Sequence, residues 1–220
     1  GITKREYHKR RVYALVFTIH HYTGCRTKEL LNLKWKHISI NTNEGTFDRK
    51  TNRVVHIPAD NSKTGRSRDI IAPIAGNIKS LIKWYTRMGI EVSEKSDNYV
   101  FPRLTDTVKN ENIPTSDVAW TKRLRKVLAG AEKDGVIELN GRNITNYCAR
   151  HHHITEAIQR GVDIYDVALN CGTSLNYIEK TYSHITTLMR SKELTKGLGR
   201  QATYDPLKDE EYVKSQRMGE

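Results

Sequence analysis

Four short stretches of this chain carry side chains able to do chemistry, and they lie far apart in the sequence. In "TGCRTKELLNLKW", Arg26 is followed three residues on by Glu29. In "SKTGRSR", Lys63 stands among turn-forming residues. "YCARHHH" joins Arg150 to His151, His152 and His153, and "GTSLNYIEKTYSH" places Tyr182 one residue before a serine and two before His184. A tyrosine at that position either packs in a helix or attacks an electrophile as a nucleophile. Taken singly, each stretch also has an ordinary explanation. An arginine and glutamate at i, i+3 usually form a weak surface pair, and a turn lysine is usually just solvated. Three consecutive histidines on a helix point in different directions, so at most two of them can share one metal's ligand sphere.

These residues need elements to hold them. Apolar positions at helical spacing (Tyr13, Val16, Phe17, Ile19) predict a helix from about Lys4 to Tyr22, broken by Gly24. A second helix starts near Arg26 and carries Leu30, Leu31 and Leu33. "HISI", "RVVHIP" and "RDIIAPI" are β-branched runs separated by Asn, Gly and Asp, and predict a three-stranded antiparallel sheet. The turn "ADNSKTGRS" joins the last two strands, with Gly65 at a position that asks for positive φ. Helical spacing returns over about 77–88 and 116–133, and again over 144–160 around Arg150. "VDIYDVALNCG" is a short helix stopped by Gly172, and "SLNYIEKTYSHI" is another. The fold class is therefore α+β: mainly α-helical, with a small three-stranded antiparallel sheet. The last thirty residues are polar with Gly and Pro breaks, so residues 1–190 form the domain and 191–220 a linker and tail. The abrupt opening on Gly1 suggests a fragment of a longer protein.

The charge balance names a class of partner. With 37 Lys and Arg against 25 Asp and Glu, the chain carries +12. Such a field favours a polyanion, nucleic acid before an anionic membrane surface. Lys122, Arg123, Arg125 and Lys126, on one predicted helix, are candidates for backbone contacts, although a solvated face has the same composition. No run approaches the roughly 20 apolar residues of a membrane span. Cys25, Cys148 and Cys171 are odd in number and outside any C-x-x-C spacing, which points to a reducing, intracellular setting and three small buried thiols, with no zinc ribbon.

Together and in this order, the four stretches resemble the tyrosine recombinases, the phage integrase family, over nearly all of residues 1–190. The shared features are an arginine in a T-G-x-R-x-x-E helix start, a lysine in a β-hairpin turn, an H-x-x-R-H helix motif and a glycine followed by Y-x-H. The resemblance implies that family's catalytic fold, which it shares with type IB topoisomerases. It implies that Arg26 and Arg150 are the two catalytic arginines, Lys63 the hairpin lysine and Tyr182 the nucleophile. Glu29 matches the supporting acid and His151 the histidine after the second arginine. Two positions depart from the pattern. Tyr147 stands where the family has the first histidine of H-x-x-R-H, and Thr173 where it has histidine or tryptophan.

The chemistry so implied breaks DNA by direct attack on phosphorus. Two guanidinium forks neutralise the non-bridging oxygens. Tyr182 forms a 3′-phosphotyrosyl link, and Lys63 protonates the departing 5′-oxygen. His151 or Tyr147 takes the phenolic proton, and Thr173 bonds a phosphate oxygen. His184 steadies the local geometry or simply packs. No metal or other cofactor is required. The implied partner is double-stranded DNA at specific sites, bound by a homo-tetramer whose protomers exchange C-terminal tails, in the cytoplasm of a bacterial host. The family's N-terminal DNA-clamping domain has no counterpart here. Three rival readings compete: a type IB topoisomerase that relaxes DNA of any sequence, a DNA-binding module with a decayed site, and a metal-dependent nuclease on His151–His153. The last lacks a neighbouring carboxylate cluster in the sequence.

Overall fold

The computed structural model describes residues 3–40, 50–104 and 112–189. The tail predicted over 191–220, and the side chain of His184, lie outside the described residues. Helix α1 (Lys4–Thr23) begins where the Thr3 hydroxyl accepts the Glu6 N–H at 3.1 Å, and stops at Gly24, whose N–H returns to the His20 carbonyl at 3.0 Å. It buries Val12, Val16 and Ile19, one stripe at helical spacing. Tyr13 and Phe17 pack at the edge of that stripe. Three residues past Gly24 the chain turns into the single-turn helix α2 (Thr27–Leu31), which sends Leu30 and Leu31 into the core.

The predicted sheet forms as β1 (Ile38–Ser39), β2 (Arg53–Ile57) and β3 (Arg68–Ala72), antiparallel in the order β1-β2-β3. Its register pairs Val55 with Ile70 and Ile57 with Arg68. Alternation sends Val55, Ile57, Ile70 and Ala72 inward to full burial. It leaves the His56–Asp69 pair, 2.7 Å apart, on the outside. Arg68 shares the inward face with Ile70 and Ala72. Helix α3 (Ala75–Arg87) covers the core with Ile78, Leu81 and Tyr85, whose hydroxyl donates to the Val100 carbonyl at 2.8 Å. Helix α4 (Asp117–Lys133) is capped by Ser116 and buries only Trp120.

A second, smaller core lies on the C-terminal side. Helices α5 (Tyr147–Gln159), α6 (Ile164–Cys171) and α7 (Leu175–Met189) pack Ile154, Ala157, Ile158, Val167, Ala168, Cys171, Ile178 and Tyr182 together. Asp163 caps α6 by accepting the Tyr165 N–H at 2.8 Å. Helix α5 also packs along α1, and α6 against β3, so a seam runs between the two cores. Cys25 and Cys171 are buried thiols as expected, whereas Cys148 is only half-buried; all three are free. No helix among the described residues is long and apolar enough to cross a membrane.

Candidate active site

The seam is where the distant arginines meet. Arg26 is the N-cap of α2, and its own N–H donates to Glu29 Oε2 at 2.8 Å. Its guanidinium donates from Nη1 to Glu29 Oε1 at 3.0 Å and from Nη2 to the Gly172 carbonyl at 2.8 Å. One contact spans three residues and the other 146, so this side chain ties the first core to the second. Arg150, only 1% exposed, reaches back from α5. Its Nη1 donates to the Gly24 carbonyl at 2.7 Å and to the Cys171 carbonyl at 2.6 Å. Both carbonyls lie at helix C-termini, where unpaired carbonyls and the helix dipole favour a cation. Its Nε and Nη2 have no hydrogen-bond partner among the described residues. A buried guanidinium with two unpaired donors on one edge has the donor pattern that an oxyanion can fill in bidentate fashion.

Between the arginines lies a residue the motif reading passed over. Arg68 donates from Nη1 and Nη2 to the two Glu29 oxygens at 3.2 and 2.7 Å, and from Nε to the Asn170 carbonyl at 3.3 Å. Glu29, with a side chain 2% exposed, therefore serves two cations. Burial works to raise its pKa, but the Arg68 bonds and charge and the Arg26 N–H outweigh it, leaving the carboxyl below its ordinary 4.5. Arg68 also explains Gly172. A Cβ there would come within 2.5 Å of the Arg68 Cζ, and the residue's φ of +64° closes α6 in the left-handed region. Arg68 was legible in one respect: it falls on the inward face of a strand, where an arginine demands a buried acid.

The tyrosine lies across α5 and α7. Tyr182 is 3% exposed, and its Oη stands 2.6 Å from His151 Nδ1. Burial first, then the neighbouring Arg150 charge, holds the His151 imidazole below its usual pKa. In the Nε2–H tautomer of the neutral ring, Nδ1 accepts and the phenol donates. Burial, reinforced by Tyr177, pushes the Tyr182 pKa well above its ordinary value, so the hydroxyl keeps its proton until a base removes it. Tyr147 sets its ring edge-on to His151 at 4.9 Å between centroids and lies 6.0 Å from the Arg150 Cζ. Thr173 is half-buried just past Gly172, with its N–H on the Ala168 carbonyl at 3.0 Å.

Lys63 stands apart from this cluster, exposed on the β2–β3 turn. Asn61 anchors the turn by donating from Nδ2 to the Glu29 carbonyl at 2.9 Å, and Gly65 adopts the expected positive φ of 66°. The α4 cations divide. Lys122, Arg125 and Lys126 are exposed, while Arg123 lies with its Cζ 3.9 Å from the centre of the Tyr13 ring. The histidine run behaves as helix geometry requires: His151 faces Tyr182, whereas His152 faces away. A carboxylate does stand near it, Glu156, which sequence reasoning had not placed there.

Comparison with known proteins bears on the fold that carries this geometry. Solved structures with the same fold include XerH site-specific recombinase bound to a palindromic difH substrate, at 18% identity and TM-score 0.58 over 90% of this chain and 47% of that one. XerA recombinase matches at 15% identity and TM-score 0.53, over 88% and 65%. The Tn1549 transposon integrase, in complex with a circular intermediate DNA, matches at 18% identity and TM-score 0.51, over 79% and 54%. The architecture is thus that of the tyrosine recombinase catalytic domain. The sequence model of the phage integrase family matches residues 3–189, and the chain belongs to that family of tyrosine site-specific recombinases. It spans about half the length of the XerH and Tn1549 proteins it matches. No curated protein sequence matches it.

Proposed function

We propose that this chain is the catalytic part of a site-specific recombinase that cuts and rejoins double-stranded DNA through a 3′-phosphotyrosyl intermediate, without a metal. The observation that carries the proposal is the 2.6 Å contact between Tyr182 Oη and His151 Nδ1, one residue from a buried arginine with two open donors. As the phenol attacks phosphorus, its proton passes to His151 Nδ1 and the Oη–P bond forms while the P–O5′ bond breaks. Arg150 and Arg26 stabilise the charge gathering on the non-bridging oxygens, and the Thr173 hydroxyl donates to one of them. Lys63 supplies the proton that the 5′-oxygen takes as it leaves. The reverse sequence, with a 5′-hydroxyl from another strand, rejoins the DNA and restores the tyrosine. Tyr147 replaces the family's usual histidine as a ring that packs in a T-shaped contact against His151 rather than as a base.

Beyond the site, the exposed Lys122, Arg125 and Lys126 contribute backbone affinity without sequence choice. Residues 1–190 form the catalytic domain, and 191–220 dock on a neighbouring protomer in a DNA-bound tetramer, in the host cytoplasm. The test is covalent trapping. The protein and its Tyr182→Phe variant are incubated in EDTA with nicked duplexes from the junctions of their own element and run on a denaturing gel. A retarded protein–DNA band with the native chain and none with the variant is expected. DNA binding with no band would leave a binding module. Cutting that EDTA abolishes would assign hydrolysis to a metal instead, and relaxation of plasmids of any sequence would mark a topoisomerase.

A further inference from the structure

Away from the tyrosine, at the crossing of α1 and α5, three side chains with metal-binding chemistry converge. His21 comes from the last turn of α1, and His152 and Glu156 from successive turns of α5. One donor atom from each lies within 4.8 Å of the others. His21 Nε2 is 3.2 Å from Glu156 Oε2, and His152 Nδ1 is 3.8 Å from the same oxygen. The imidazole rings of His21 and His152 have centroids 4.9 Å apart. We propose that His21, His152 and Glu156 form a binding site for a divalent ion of the zinc class, which clamps α1 to α5 independently of the strand-transfer chemistry.

Geometry and ligand chemistry both support this. Around a tetrahedral zinc with bonds of about 2.0 Å, neighbouring donors are separated by roughly 3.3 Å. The separations seen lie close enough for rotamer adjustment to close them. Two imidazoles and one carboxylate select zinc, nickel or copper over magnesium or calcium, which prefer all-oxygen shells. The site opens on a cleft of about 310 Å³ that Glu156, Arg160 and Asp166 help to line, which leaves room for water as a further ligand. The competing cation is Arg160, whose Nη1 lies 3.7 Å from Glu156 Oε1 and leaves Oε2 to the histidines.

The experiment is titration of the metal-free 220-residue chain with zinc chloride, followed by calorimetry and by thermal unfolding. One ion per chain is expected, with a Tm rise of about 5 °C or more at free zinc a hundredfold above Kd. His152→Ala and Glu156→Gln, at exposed and half-exposed positions, are each expected to fold as the native chain does without metal and to weaken zinc binding at least tenfold. His56→Ala, which disturbs the separate His56–Asp69 pair, is expected to leave the affinity unchanged. Absence of binding at about 100 μM zinc, retention of affinity in both site variants, or loss in His56→Ala would overturn the assignment.

Discussion

The seam between the two cores and the β2–β3 turn both carry cations that the proposed reaction uses, and hold them in opposite ways. At the seam, Arg26, Arg68 and Arg150 are locked by a shared carboxylate and by carbonyls from residues 24, 170, 171 and 172. On the turn, Lys63 is exposed and its loop is moored through Asn61. The difference fits the tasks proposed for them. Stabilising charge as it develops requires donors already in place, because reorganisation during the reaction cancels the benefit. A proton donor needs only reach and a suitable pKa at the moment the leaving oxygen departs.

The sharpest way to break this contrast is Arg150→Ala. Loss of the buried fork should slow formation of the covalent band by about a thousandfold or more, and Arg150→Lys should not restore it, because one ammonium cannot replace two coplanar donors. Single-turnover gel assays check both. Next, Glu29→Ala should destabilise the fold by about 3–5 kcal/mol, since it leaves Arg68 buried without its acid; urea denaturation reads this directly. The sign of the accompanying pH effect follows from the depressed pKa. Glu29's contribution is complete above its ordinary 4.5 and is lost as pH falls through the lower folded value. Stability profiles of the native chain should therefore drop more steeply below pH 4.5 than those of Glu29→Gln.

Lys63→Ala should cost about a hundredfold in cleavage while leaving the fold untouched. A substrate with sulfur at the 5′ leaving position needs no proton and should recover most of that rate; failure to recover would remove Lys63 from the acid role. The smallest effects compare glycines. Gly172→Ala, strained in φ and driven against Arg68, should cost about 2–3 kcal/mol. Gly65→Ala, with positive φ but open space around it, should cost about 1 kcal/mol. Equal losses at the two positions would mean that the seam is no more tightly built than the turn.

Much of this was legible in the chain itself. Helix starts and stops at Thr3, Gly24, Ser116, Asp163 and Gly172 are local chemistry, and the sheet came from the β-branched runs "HISI", "RVVHIP" and "RDIIAPI" between turn residues. Arg68 was quoted inside "SKTGRSR" yet given no role, because its partner, Glu29, lies 39 residues away. Glu156 near His152 is a matter of one helical turn, but His21 joins them only because α1 crosses α5.

The sequence by itself determined the elements, the family and the candidate residues, since capping, periodicity and motif order act over a few neighbours. Only the tertiary structure decided which groups face one another. That His151 rather than Tyr147 receives the Tyr182 hydroxyl, and that carbonyls at two helix ends hold Arg150, depend on contacts 21 to 126 residues apart in the chain. Such contacts are set by how the two cores pack, which no local pattern encodes.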